Sequence, residues 1–380
     1  MRLPIPLIGI LALAVCLVSA CHKTDPGTAN APSSEKAQDG GVLNLYWWSD
    51  FMAPDTIPNF EKQTGIKVSV AYYDSEEILE TRMLTGNSGF DVVVPAAPYF
   101  FQRQTRSGAY LALDKNKLPN LANLDPAIMA RVALVDTDNA HGIVYMWGTV
   151  GIGYNKEKVA RALPNVPLTS WRVVFDPTTA SKLANCGIHI LDSPAEVVLL
   201  VLRYLGKDAN SRSPQDLADV ERALMAIRPY IRNVDSTGYI EAIANGDICV
   251  AVGYNGDFVQ ARRRANEAKN GVQVYYALPE EGSVVYFNML AVPRDAPHAD
   301  NAHRFLNYLM KPEVIADITN FVGYANANLA ATPLLDLSIA QDTASYPTPA
   351  QRERLFAQTE STPEEARTIT RLWQKFKTGQ

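Results

Sequence analysis

Across 380 residues, 35 Lys and Arg stand against 40 Asp and Glu, a formal charge of −5. That balance suits a small cationic ligand better than nucleic acid. The length exceeds what one compact core normally serves, so two lobes are expected.

Met1-Arg2 leads into the apolar run 3–17 and then Val18-Ser19-Ala20-Cys21, the form of a secretory signal ending in small residues. The run is too short to span a bilayer comfortably. A cysteine directly after Val-Ser-Ala resembles the lipobox of bacterial lipoproteins. This implies a signal over 1–20 and a lipid on Cys21, anchoring an extracytoplasmic protein to a membrane. His22 follows rather than the aspartate that retains Gram-negative lipoproteins in the inner membrane, so either membrane fits. Residues 21–40 are rich in Pro, Gly, Ser, Thr, Ala and charged groups without apolar periodicity, and read as a flexible tether.

The first strand is expected over 42–47, running into Trp48-Ser49-Asp50-Phe51. Trp48 offers a π face to a cation and Asp50 a countercharge, at the carboxyl end of a strand where α/β proteins bind ligands. The alternative is that Trp47 and Trp48 are core aromatics and Asp50 caps a helix. Residues 66–70 alternate as a half-buried strand. Asp74-Ser75 then opens a helix over 76–84 with Glu76 and Glu77 in its first turn and Gly86 at its end, and 90–95 reads as a buried strand stopped by Pro95. That order implies parallel neighbours. Further strands are expected over 150–154, 188–191 and 248–254, and a helix over 302–309 ending before Pro312. The alternation of strand and helix argues for α/β layers.

Cys186 and Cys249 are the remaining thiols after the signal and Cys21. In an oxidising compartment they are expected to pair, the alternative being two buried free thiols. Closing a loop of about 60 residues would contribute on the order of 4 kcal/mol. His22, His141, His189, His298 and His303 make no metal-ligand spacing, and neither a Gly-x-Ser-x-Gly elbow nor a phosphate-binding loop is present. No cofactor, metal or catalytic group is therefore assigned.

Several stretches in order carry a family resemblance: Tyr46-Trp47-Trp48-Ser49-Asp50, Phe60-Glu61-Lys62-Gln63-Thr64-Gly65, Gly89-Phe90-Asp91-Val92-Val93-Val94-Pro95, Gly246-Asp247-Ile248-Cys249-Val250-Ala251 and Tyr324-Ala325-Asn326-Ala327-Asn328. Together they resemble the periplasmic putrescine/spermidine-binding proteins of bacterial ABC importers, the putrescine branch most. The resemblance covers 41–380 and implies a type II solute-binding fold, a monomer of two α/β lobes closing on a cleft. It implies one lobe over 41–145 plus 266–323 and a second over 146–265 plus 324–380. It also implies a Cys186–Cys249 disulfide, no enzymatic activity, and a polyamine such as putrescine or spermidine passed to a membrane permease. The alternative is a sensor presenting its ligand to a membrane receptor or signalling protein.

Carried over residue by residue, the family pocket falls on Trp48, Ser49, Asp50, Glu196, Tyr254, Asp257, Tyr286, Asn288 and Tyr324, with Phe51 and Ala96 at its edge. Asp257 and Glu196 also follow expected strands, where a cleft can form. A helix-capping role is the alternative for Glu196, and strand core the alternative for Tyr286. Three positions depart from the family. Asn288 stands for an aspartate that anchors an ammonium, Ala96 for a serine, and Tyr254 for a tryptophan. The departures point to a polyamine or related amine more than to putrescine itself.

Overall fold

The computed structural model describes residues 41–164 and 166–380. The expected signal (1–20), the tether (21–40) and the lipid-bearing Cys21 lie outside the described residues. Among the described residues no helix is long and apolar enough to cross a membrane.

Strands β1 (Val42–Trp48), β2 (Lys67–Tyr73), β3 (Val92–Val93) and β4 (Ala96–Ala97) precede the long β5 (Gly142–Asn155). Then come β6 (Ile188–Leu191), β7 (Ile231–Asp235), β8 (Val250–Tyr254), β9 (Val274–Ala277), β10 (Ser283–Ala291), β11 (Ala325–Asn326) and β12 (Leu355–Phe356). The sheet path runs β2-β1-β3-β10-β5-β8-β6-β7. The expected strand-helix-strand unit is present: β1 pairs in parallel with both β2 and β3, and helix Glu76–Thr85 lies between them in sequence. Ser75 caps that helix by accepting the Ile78 N–H, which replaces one backbone partner missing at a helix start.

The two α/β lobes share β5. Its first part pairs with β10 through Gly142–Thr149, and its second with β8 and β9 through Val150–Asn155. Sequence reading recognised only the second part. The first eight residues are buried on both faces, so they show no polar beat by which a strand declares itself. β9 bonds to the second part of β5 and β11 to the first, and the β9 pairing crosses the expected lobe boundary at 266.

Alternation along β1 puts Leu43, Leu45 and Trp47 into one core, while the intervening Asn44 and Tyr46 are half-buried on the opposite face. Trp47 packs edge-on against Tyr145 and Phe305. In the second lobe, helix Pro194–Tyr204 buries six consecutive residues, Val197 to Leu202, as a helix surrounded by protein must. The Cys186–Cys249 disulfide is formed, with 5.4 Å between the Cα atoms. It ties the turn after helix Pro177–Leu183 to the start of β8. Pro312 does end one helix, but it also begins the next, Pro312–Val322, a position where its missing N–H costs nothing.

Candidate functional site

A cavity of about 110 Å³ opens where the strands of both lobes end. At roughly 10–15 Å³ per water-sized position, this is room for a small linear solute. Trp48, Ser49 and Phe51 enter it from the end of β1, Ala96 from β4, and Tyr286 and Asn288 from β10. The second lobe adds Glu196, Tyr254 and Asp257, and Tyr324 comes from just after helix Pro312–Val322. Ten of the eleven sequence-nominated pocket residues thus share one wall.

Asp50 is the exception. It takes a left-handed backbone conformation, φ 54°, which aspartate tolerates better than most residues. The turn carries its carboxylate to Arg264, 3.0 Å away at the rim. Trp47 also stays out of the cavity, in the core. Trp48 lines it, held by an indole N–H donated to the Val94 carbonyl (3.0 Å) and by packing on Tyr73.

Acids are supplied from the first turns of three helices: Glu76 and Glu77 from Glu76–Thr85, Glu196 from Pro194–Tyr204, and Asp257 from Asn255–Ala268. Such positions favour the ionised form through the helix dipole. Burial opposes it more strongly. Glu196 is pushed up to about 7 and Asp257 to about 6, chiefly by desolvation. Burial likewise raises Glu76 well above the ordinary carboxylate range, and Glu77 less far. Phenols support two of these groups: Tyr254 Oη donates to Glu196 (2.8 Å), while Tyr324 Oη (2.6 Å) and Tyr239 Oη both donate to Asp257.

None of the described residues lining the cavity is Lys, Arg or His. Desolvated carboxylates without a cationic partner cost free energy, which a cation entering the cavity recovers. Rings surround the acids. Tyr286 meets Tyr254 edge-on at 5.3 Å, and Phe51 meets Tyr324 at 5.0 Å; such faces attract cations and cover methylene chains. Gly256 gives the Tyr324 ring its seat, because a Cβ there would collide with the ring.

Glu76 and Glu77 also line the wall, where the sequence pattern marks them only as helix-start acids. The available signal was their place directly after a strand, the same kind of junction that singled out Asp257. The histidines serve other contacts: His303 Nε2 accepts the Asp114 N–H, and His298 and His141 sit against Asp91 and Asp136. Among the described residues no cluster of His, Cys, Asp and Glu could hold a metal ion.

Two α/β lobes around an acid-lined cleft at their strand ends define a solute-binding protein. The chain belongs to the bacterial extracellular solute-binding proteins, whose family profile matches residues 56–348. It is 46% identical over 345 residues to the putrescine-binding periplasmic protein SpuD of Pseudomonas aeruginosa, covering 90% of this chain and 94% of that one. It is equally similar, 46% over 345 residues, to the putrescine-binding periplasmic protein PotF of Escherichia coli, covering 90% and 93%. Among solved structures, the TpPotD lipoprotein of Treponema pallidum superposes with a TM-score of 0.73 at 25% identity, over 89% of this chain and 99% of that one. The two 46% identical relatives carry the names of binding proteins and not of enzymes.

Proposed function

We propose that this protein is an extracytoplasmic lipoprotein that captures putrescine or a related polyamine in the cleft and delivers it to the membrane permease of an ABC importer. The observation that carries this reading is the cavity wall: Glu76, Glu77, Glu196 and Asp257 face it among aromatic rings, with no basic side chain lining it. A protonated polyamine supplies several N–H donors and charges to those acceptors, and its methylenes pack on the rings. The names of the two 46% identical relatives support the same ligand class.

In this reading Trp48, Ser49, Glu196, Tyr254, Asp257, Tyr286, Asn288 and Tyr324 contact the amine, with Phe51 and Ala96 at the edge. Asp50 shapes the rim through Arg264. The lobes follow 41–145 plus 266–323 and 146–265 plus 324–380, except that β9, within 266–323, belongs with the second lobe by its pairing to β5. Closing of the lobes on ligand would present one surface to the permease, at the expense of binding free energy. Thermal shift of the mature protein with putrescine, cadaverine, spermidine, norspermidine and agmatine tests the ligand class. A rise in melting temperature with at least one amine is expected, and none with any of them refutes the reading. Mass spectrometry of the N-terminus tests the anchor: a lipid on Cys21 that disappears in Cys21→Ser is expected, and an unmodified N-terminus overturns it.

A further inference from the structure

Asn288 and Glu76 are both neighbours of Ala96. Glu76 Oε1 accepts the Ala96 N–H at 2.8 Å, and Ala96 is the register partner of Asn288 across β4 and β10. Directly opposed residues of an antiparallel pair project to the same face, and here Glu76, Ala96 and Asn288 all line the cavity. Asn288 is 5% exposed, yet its Oδ1 is buried without a hydrogen-bond partner, and so is Glu76 Oε2. Two buried acceptors without a donor carry a free-energy cost that protein interiors rarely tolerate.

A β-bulge lies beside them. Pairing of β10 with β5 slips between Asn288 and Met289, a distortion that re-aims side chains and recurs at binding sites. Tyr286, two residues earlier on β10, also lines the cavity about 7 Å along the strand. Its phenol feels the charges of both Asp257 and Glu196, so the Asn288 end and the Asp257 end flank one ring.

We propose that Glu76 Oε2 and Asn288 Oδ1 form a single ammonium subsite, in which Glu76 supplies the negative charge that residue 288 does not. A linear polyamine then places one protonated primary amine between Glu76 and Asn288, lays its methylenes on Tyr286, and sets a second ammonium against Asp257. The charge of this subsite sits on the helix that follows β2 instead of on β10. The inference rests on the amine-binding reading above and deepens it.

A charge-transfer cycle tests it by calorimetry with putrescine and spermidine, using wild type, E76Q, N288D, E76Q/N288D and, as a control, D257N. Glu76→Gln keeps an oxygen to accept the Ala96 N–H and removes the charge. It is expected to weaken the better-bound amine tenfold or more, and Asn288→Asp in that background is expected to restore most of the loss. Should E76Q fail to fold, Glu76→Met with and without N288D gives the same comparison. Wild-type affinity in E76Q, or a double variant no better than E76Q, overturns the subsite even when D257N still weakens binding. Failure of the wild type to bind any amine refutes the amine reading itself, so the two failures are told apart.

Discussion

Replacing Asp257 by Asn should weaken ligand binding while stabilising the ligand-free protein. Asp257 is 8% exposed as a residue, and burial raises its carboxyl from 3.8 to about 6. At 1.36 kcal/mol per unit, keeping it ionised at neutral pH costs about 3 kcal/mol. The phenol bonds from Tyr239 and Tyr324 already act within that shift. An amide has the same shape, still accepts from Tyr324, and carries no charge to desolvate. The ligand-free melting temperature of D257N at neutral pH should therefore rise by a few degrees. Losing a charge-assisted contact to an ammonium costs roughly 1.5–3 kcal/mol, about tenfold to a hundredfold in Kd. Differential scanning calorimetry and isothermal titration on the same preparations measure both quantities. Unchanged amine affinity would remove Asp257 from the ligand contacts. A fall in ligand-free stability of several degrees would make the Tyr239–Asp257–Tyr324 bridge a structural support and not a charge held ready for ligand.

Other consequences follow from the same geometry. Glu196 and Asp257 have folded-state values raised to about 7 and about 6 from 4.5 and 3.8, so their contribution to fold stability is full below the unfolded values and lost as pH rises through 6–7. Amine binding needs the ionised forms and has the opposite slope: affinity should climb between pH 5 and 8 with proton release, and a flat or falling titration series would contradict this. Asp50→Ala breaks a partly exposed pair with Arg264, a kind worth at most about 1 kcal/mol; its effect on Kd should stay below about fivefold, and a loss matching D257N would return Asp50 to the ligand. Cys186→Ser/Cys249→Ser opens a loop of 63 residues, lowering stability in urea by up to about 4 kcal/mol. Neither sulfur lines the cavity, so amine affinity should change less than about twofold, and a larger change would show coupling between the disulfide and the cleft.

Local pattern in the sequence exposed most of the α/β layering, in half-buried alternating segments and in short buried runs such as 188–191. Residues 66–70 alternate, and Ser75 with Glu76 and Glu77 marks a helix start, and both elements stand where expected. The first part of β5 is covered on both faces and shows no polar alternation. The site was legible in chemistry more than in geometry. Asp257 and Glu196 stood at strand-to-helix junctions, but Tyr286 and Tyr324 were raised above core aromatics only by resemblance. Asp50 could not be separated from Trp48 and Ser49, because a left-handed turn at a single residue leaves no trace in composition. Glu76 was hidden for the opposite reason: an acid in the first turn of a helix is so ordinary that only its neighbours across the fold, Ala96 and Asn288, mark it out.

The cleft, as proposed, selects a doubly charged linear amine by charge. Isothermal titration of the mature wild-type protein at pH 8 with putrescine, butylamine and butanediol compares chains of equal carbon length bearing two, one and no ammonium groups. One-to-one binding of putrescine, at least tenfold weaker binding of butylamine and no measurable binding of butanediol are expected. Equal affinity for all three, or binding of butanediol alone, would contradict the claim.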